Sequence, residues 1–132
     1  MISLEAKNLA KSFGFRTVFE GINFSLKAKE SLVIVGRNGS GKTTLLKILT
    51  GLLRPSKGEV KISLDGQVRK GSRLKNSLGY VAPDLSLYDE LTALENLEFL
   101  VRVKGLTFSQ PDLNGRLEEV GLKDRGNDPV SS

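Results

Sequence analysis

Along the first residues apolar and polar positions take turns: Ile2, Leu4 and Ala6, then the pair Val18-Phe19, then Ile22, Phe24 and Leu26. A period of two predicts half-buried antiparallel strands, with punctuation expected at Glu20-Gly21 and at Lys27-Ala28-Lys29-Glu30. Leu32-Val33-Ile34-Val35 breaks the alternation. An uninterrupted apolar run predicts a strand covered on both faces, as at the parallel centre of an α/β sheet. From about Lys42 the period lengthens. Leu45, Leu46, Leu49, Leu52 and Leu53 recur at helical spacing until Gly51 and Pro55 stop the helix.

Alternation returns from Lys57 to Asp65, where Val60, Ile62 and Leu64 share a face and Asp65-Gly66 turns the chain back as a hairpin. Leu78-Gly79-Tyr80-Val81 reads as a second central strand, ended by Pro83. Thr92-Ala93-Leu94-Glu95 is a capping box. It predicts a helix with Leu94, Leu97, Leu100 and Val101 on one face, closed by Gly105. A last helix is expected from near Ser109, with Pro111 in its first turn, Leu113, Leu117 and Val120 along it and Gly121 at its end. The tail from Lys123 to Ser132 reads as a loop.

Between the apolar run and the first helix stands Gly36-Arg37-Asn38-Gly39-Ser40-Gly41-Lys42-Thr43, a match to G-x-x-x-x-G-K-[ST] in the strand-loop-helix setting that motif needs. The chemistry calls for this order. Glycines let the backbone turn where a side chain would clash, so successive amides face inward as an anion-sized nest. The helix start adds its positive dipole end and its free N–H groups. The expected phosphate ligands are Asn38, Gly39, Ser40, Gly41, Lys42, Thr43 and Thr44. Lys42 serves as the charge on the β- and γ-phosphates and as the catalytic residue, and the Thr43 hydroxyl is placed on Mg²⁺.

Composition narrows the chemistry further. With 132 residues the chain has the length of one domain, and 39% hydrophobic with 27% charged residues is ordinary for a globular protein. It has no cysteine, which excludes disulfides and thiolate metal sites, and no histidine, which removes the commonest general base. No stretch has the apolar length to cross a bilayer. A cytoplasmic location is therefore expected. The net charge of +5 is densest in Arg69-Lys70-Gly71-Ser72-Arg73-Leu74-Lys75. A solvated loop is the expected reading of that stretch, and no nucleic-acid partner is expected, because aromatics are too few to form a stacking platform.

Among phosphate-loop classes, a GTPase should carry Asn-Lys-x-Asp, and no asparagine here is followed by lysine. A small nucleotide kinase should continue with helices, where this chain has a hairpin. Ile2 to Leu9, Lys11-Ser12-Phe13-Gly14, Gly21 to Leu26, the phosphate loop, Leu49-Thr50-Gly51-Leu52-Leu53-Arg54-Pro55-Ser56-Lys57-Gly58-Glu59-Val60 and Leu78 to Val81 together resemble the nucleotide-binding domain of ABC-type ATPases. That resemblance implies an α/β P-loop NTPase present in part. It comprises an antiparallel β subdomain (about 1–30 and 57–76), part of the parallel core sheet with the phosphate-loop helix (31–56 and 77–86), and the start of the helical subdomain (87–132).

The resemblance also implies ATP and Mg²⁺ as cofactors and Phe13 as the aromatic residue stacked on adenine, with Phe15 the substitute if the register slips. Implied partners are a membrane permease subunit and a second ATPase subunit in a head-to-tail dimer, at the inner face of the membrane. Leu87 to Leu97 is most similar to exporters. Where relatives carry a metal-coordinating glutamine, this chain has Pro83 and then Asp84; Asp84 either supplies a metal oxygen from one residue later or is a turn carboxylate. A Ser-Gly-Gly-type signature, an apolar strand closing in Asp-Glu and a switch histidine are implied beyond Ser132 and are not among these residues. Three readings stand: an exporting transporter's ATPase in part, a nucleotide-binding module without turnover, or part of an ABC-type ATPase acting on ribosomes or DNA.

Overall fold

The computed structural model describes residues 1–84 and 86–131. Leu85, inside the expected core span 77–86, and Ser132, the last residue of the expected tail loop, lie outside the described residues. The chain divides into two units, Met1–Tyr80 and Val81–Ser132.

In the first unit the alternating stretches form β1 (Ile2–Phe13), β2 (Arg16–Lys27), β3 (Lys57–Leu64) and β4 (Gln67–Lys70). They pair antiparallel in the order β2-β1-β3-β4. Gly14-Phe15 joins β1 to β2 as a tight turn closed by Phe13 opposite Arg16. Gly14 has φ 57, the sign required at the first central position of a II′ turn. The punctuation expected at Glu20-Gly21 does not end the strand. It is absorbed by two successive register shifts, between Ala6 and Leu9 and between Leu9 and Lys11, with Asn8 (φ 47) and Gly21 (φ 68) in the left-handed region. Asn23 stitches the irregularity: its Oδ1 accepts from the Asn8 N–H at 2.9 Å and its Nδ2 donates to the Gly21 carbonyl at 3.0 Å. On the other side of β1 a Cβ at Gly58 would collide with the carbonyls of Lys7 and Asn8, so glycine is what lets β3 approach.

Ala6 and Leu9 from β1 and Val60 and Ile62 from β3 pack with one face of α1 (Lys42–Leu49). That face is Leu45, Ile48 and Leu49. The expected stripe was too wide: Leu46 is 42% exposed and Ile48 only 1%, because positions i, i+3 and i+4 share a face and i+1 does not. The basic stretch Arg69 to Lys75 also departs from the expected loop, since Arg69 and Lys70 belong to β4. Gly71–Asn76 is a 3₁₀ turn, not a solvated loop, because Leu74 is buried in the same core and anchors it.

Leu32-Val33-Ile34-Val35 forms no strand among the described residues, and Leu32, Val33 and Val35 are 45, 79 and 84% exposed. Leu78-Gly79-Tyr80-Val81 is not a strand either. A strand exists only as one rail of a ladder, and an apolar run states that cover is wanted without supplying the neighbour. The described sheet is antiparallel throughout.

In the second unit α2 (Ala93–Val103) and α3 (Gln110–Glu119) pack through Leu94, Leu113 and Leu117, flanked by Leu97 and Val101. Leu100 and Val120, expected on those faces, are exposed. Asn96 is buried within α2. Its Oδ1 accepts from the Tyr88 N–H at 2.9 Å, and its Nδ2 donates to the carbonyls of Tyr88 at 2.9 Å and Thr92 at 3.0 Å. The tail returns to the start of α2, where the Leu94 N–H donates to the Gly126 carbonyl at 3.0 Å. No described helix is long and apolar enough to cross a membrane.

Candidate functional site

The segment from Gly36 to Thr44 carries the chain into α1. Gly39 (φ 81) and Gly41 (φ 98) are left-handed, and Gly41 is the N-cap, so it offers no side-chain oxygen to the helix start. The first rung of the ladder is the Leu45 N–H to the Gly41 carbonyl at 2.9 Å. The amides of Lys42, Thr43 and Thr44 precede that rung and have no acceptor among the described residues. No acidic residue lies in the first turn. The positive end of α1 is thus neither capped nor neutralised from within.

Lys42 closes the loop on itself. Its Nζ donates to the carbonyls of Gly36 and Arg37, both at 2.7 Å, tying the entry of the loop to its exit. An ammonium has three donors, so one remains for a ligand oxygen. The Ser40 N–H closes a turn onto the Arg37 carbonyl at 3.1 Å.

The loop is seated against the β1-β2 hairpin. The register shift between Lys11 and Ser12 leaves Val18 as the extra residue of a bulge in β2. A bulge re-aims its side chain, and Val18 reaches the loop so closely that a Cβ on Gly41 would collide with it. Gly41 therefore answers two demands, its backbone sign and its lack of a side chain. Together Phe13, Arg16 and Val18 from the hairpin and Asn38, Gly39, Gly41, Lys42, Thr43 and Thr44 from the loop and helix line a cleft of about 490 Å³. Its lining holds two cations and no carboxylate. A larger cavity of about 600 Å³ in the second unit is walled largely by leucines and valines such as Leu97, Leu100, Leu117 and Val120, and it has no turn of glycine amides. Chemistry, not size, singles out the loop cleft.

The structure brings Phe13, Asn38, Gly39, Gly41, Lys42, Thr43 and Thr44 together; Ser40 belongs to the loop but not to the lining. Phe13 is half exposed, with Lys11 Nζ 4.8 Å from its ring centroid, a separation at which a cation and a ring attract. Phe15 sits fully exposed in the hairpin turn and is not among the lining residues. Asp84 belongs to the second unit, exposed in a turn after Pro83. Among the described residues no cluster of three or more acidic side chains is arranged to hold a metal. Thr43, on the cleft wall beside Lys42, fits an ion that takes most of its ligands from phosphate oxygens and water. Arg16 and Val18 were missed in the sequence. The signal for Arg16 was the two-residue turn at Gly14, which sets it opposite Phe13; the bulge that turns Val18 inward leaves no comparable mark.

A family model described as ABC transporter matches residues 19–132. The linearmycin resistance ATP-binding protein LnrL of Bacillus subtilis is 34% identical over 131 residues, 98% of this chain and 42% of that protein. The cytochrome c biogenesis ATP-binding export protein CcmA of Rhizobium etli is 41% identical over 121 residues, 90% of this chain and 56% of that one. A solved ATP-binding cassette, a dimer in a post-hydrolysis state bound to ADP and Pi, superposes with a TM-score of 0.72 at 28% identity, covering 96% of this chain and 61% of that chain. The chain spans about half the length of the curated relatives it matches.

Proposed function

The chain belongs to the ABC transporter family, and on that premise we propose that its first unit binds MgATP in the loop cleft. The partial P-loop NTPase fold expected from the sequence is the fold of the solved relative. In the proposed arrangement Phe13 stacks on adenine. The amides from Gly39 to Thr44, the third donor of Lys42 and the Asn38 side of the loop hold the phosphates, and the Thr43 hydroxyl meets Mg²⁺. Lys42 supplies the charge that stabilises the transferring phosphoryl group. Asp84 is read as a turn carboxylate after proline. The observation that carries the reading is the set of unfilled amides of Lys42, Thr43 and Thr44 behind a left-handed glycine cap. Support for ATP comes from the relatives named for ATP binding and from the ADP and Pi of the solved cassette.

For the whole protein we propose ATP hydrolysis by a head-to-tail dimer beneath a membrane permease, with 87–132 as the start of the helical subdomain, 1–30 with 57–76 as the antiparallel part and 31–56 with 77–86 as the nucleotide-binding core. Export rests on the likeness to the export protein. For these residues alone the proposal is binding without efficient turnover, since among the described residues no strand closes in Asp-Glu to position water. A ribosome or DNA contact through Arg69 to Lys75 has less support. Arg69 is committed to Ser77 Oγ at 2.8 Å and Lys70 to Glu59 at 2.9 Å. Calorimetric titration with MgATP tests the reading: saturable binding is expected, and a folded chain that takes up no heat and shifts no loop resonance rejects it.

A further inference from the structure

We propose that Arg16 is a phosphate-contacting residue of this cleft, gripping the nucleotide's anionic chain from the hairpin side, opposite the glycine loop. The inference rests on the nucleotide reading above. Arg16 is placed by register, since it faces Phe13 directly across the pair that closes the β1-β2 turn, and directly opposed residues share a face of the ladder. Both line the cleft with Lys42 and Thr43.

Of the two cations that line the cleft, Arg16 is the uncommitted one. Lys11 spends its ammonium on the Arg54 carbonyl at 3.0 Å and on the Phe13 ring. Lys42 spends two donors on the carbonyls of Gly36 and Arg37. Elsewhere Arg116, Lys123 and Arg125 are paired with Glu119, Glu118 and Asp128. The Arg16 guanidinium, by contrast, has no hydrogen bond or ion pair among the described residues. A planar fork of five donors suits the paired oxygens of a phosphate better than a point charge does. The bulge at Val18, pressed onto Gly41, holds the hairpin against the loop, so the fork meets a ligand from a fixed wall.

The test compares Arg16→Gln and Arg16→Lys with the native chain, titrating ATP and adenosine separately by amide chemical-shift changes, which also read weak affinities. Arg16→Gln is expected to weaken ATP about tenfold and to leave adenosine unchanged, with Arg16→Lys recovering part of the loss. An equal loss for adenosine would mean that Arg16 only supports Phe13 and would overturn the proposal, as would unchanged ATP affinity in a variant with native thermal unfolding. A Lys42→Ala control separates the two levels. If it weakens ATP while Arg16→Gln does not, this inference fails and the nucleotide reading stands; if the native chain itself ignores ATP, the reading fails.

Discussion

The start of α1 and the starts of α2 and α3 answer the same physical problem in opposite ways. Every helix begins with N–H groups that have no partner inside it. At α2 the Thr92 Oγ1 accepts from the Glu95 N–H at 3.1 Å, the Glu95 carboxylate accepts from the Thr92 N–H at 2.8 Å, and returning tail carbonyls take the amides of Ala93 and Leu94. At α3, Ser109 and Asp112 form the same reciprocal pair. At α1 a bare glycine stands in the capping position, no acid follows, and the amides open toward a cleft that contains Arg16 and Lys42. A good cap contributes about 1 kcal/mol, and α1 does without it, leaning on Leu45, Ile48 and Leu49 in the core. The starts of α2 and α3 are satisfied locally; on the proposed reading, the start of α1 is left for the ligand.

The contrast breaks most visibly at Lys42. Lys42→Ala should cost about 3 kcal/mol of MgATP affinity, the upper range for a hydrogen bond to a charged group, as read by calorimetry. Gly41→Ala comes next. It forces a side chain into a backbone at φ 98 and into Val18, so about 2 kcal/mol of strain should appear both as weaker ATP binding and as a lower unfolding midpoint. Thr92→Ala should do the reverse, costing about 1 kcal/mol in urea unfolding while ATP affinity stays put.

The smallest effect expected is that of acid. The Thr92 backbone N–H, with its hydroxyl, holds the Glu95 carboxyl below its ordinary range, and the Ser109 hydroxyl, with its N–H, does the same for Asp112. A carboxylate favoured in the folded state stabilises it above the ordinary pKa, and that contribution is lost as pH falls through the folded pKa. Urea midpoints at falling pH should therefore show the capped helices weakening, and Glu95→Gln should flatten part of that slope. Glu59, lowered from 4.5 to about 2 by hydrogen bonds from Lys61 and then Lys70, adds the same sign of effect in the β3-β4 hairpin between those two values.

What could be read from the sequence was what is local. The glycine motif, the β3-β4 hairpin and the Thr92 capping box each sit within a few residues, where backbone preference and side-chain reach decide the outcome. Leu32 to Val35 and Leu78 to Val81 read as strands because their composition asks for cover on both faces, yet pairing depends on neighbours that no local pattern names. Nothing in the local pattern marks Asn96 as buried, and its burial depends on the loop from Tyr88 to Thr92 folding over it. Arg16 and Val18 enter the site only through hairpin register and a bulge, so motif matching around Gly36 stopped on one wall of the cleft.

The most direct measurement is an amide-resolved titration of the chain with MgATP, following every backbone N–H together. The account predicts large shifts at Gly39, Gly41, Lys42, Thr43 and Thr44, with the amides of Ala93, Leu94, Glu95 and Asp112 unmoved. Saturable binding that leaves the α1 amides in place, or that moves both kinds of helix start alike, would contradict it.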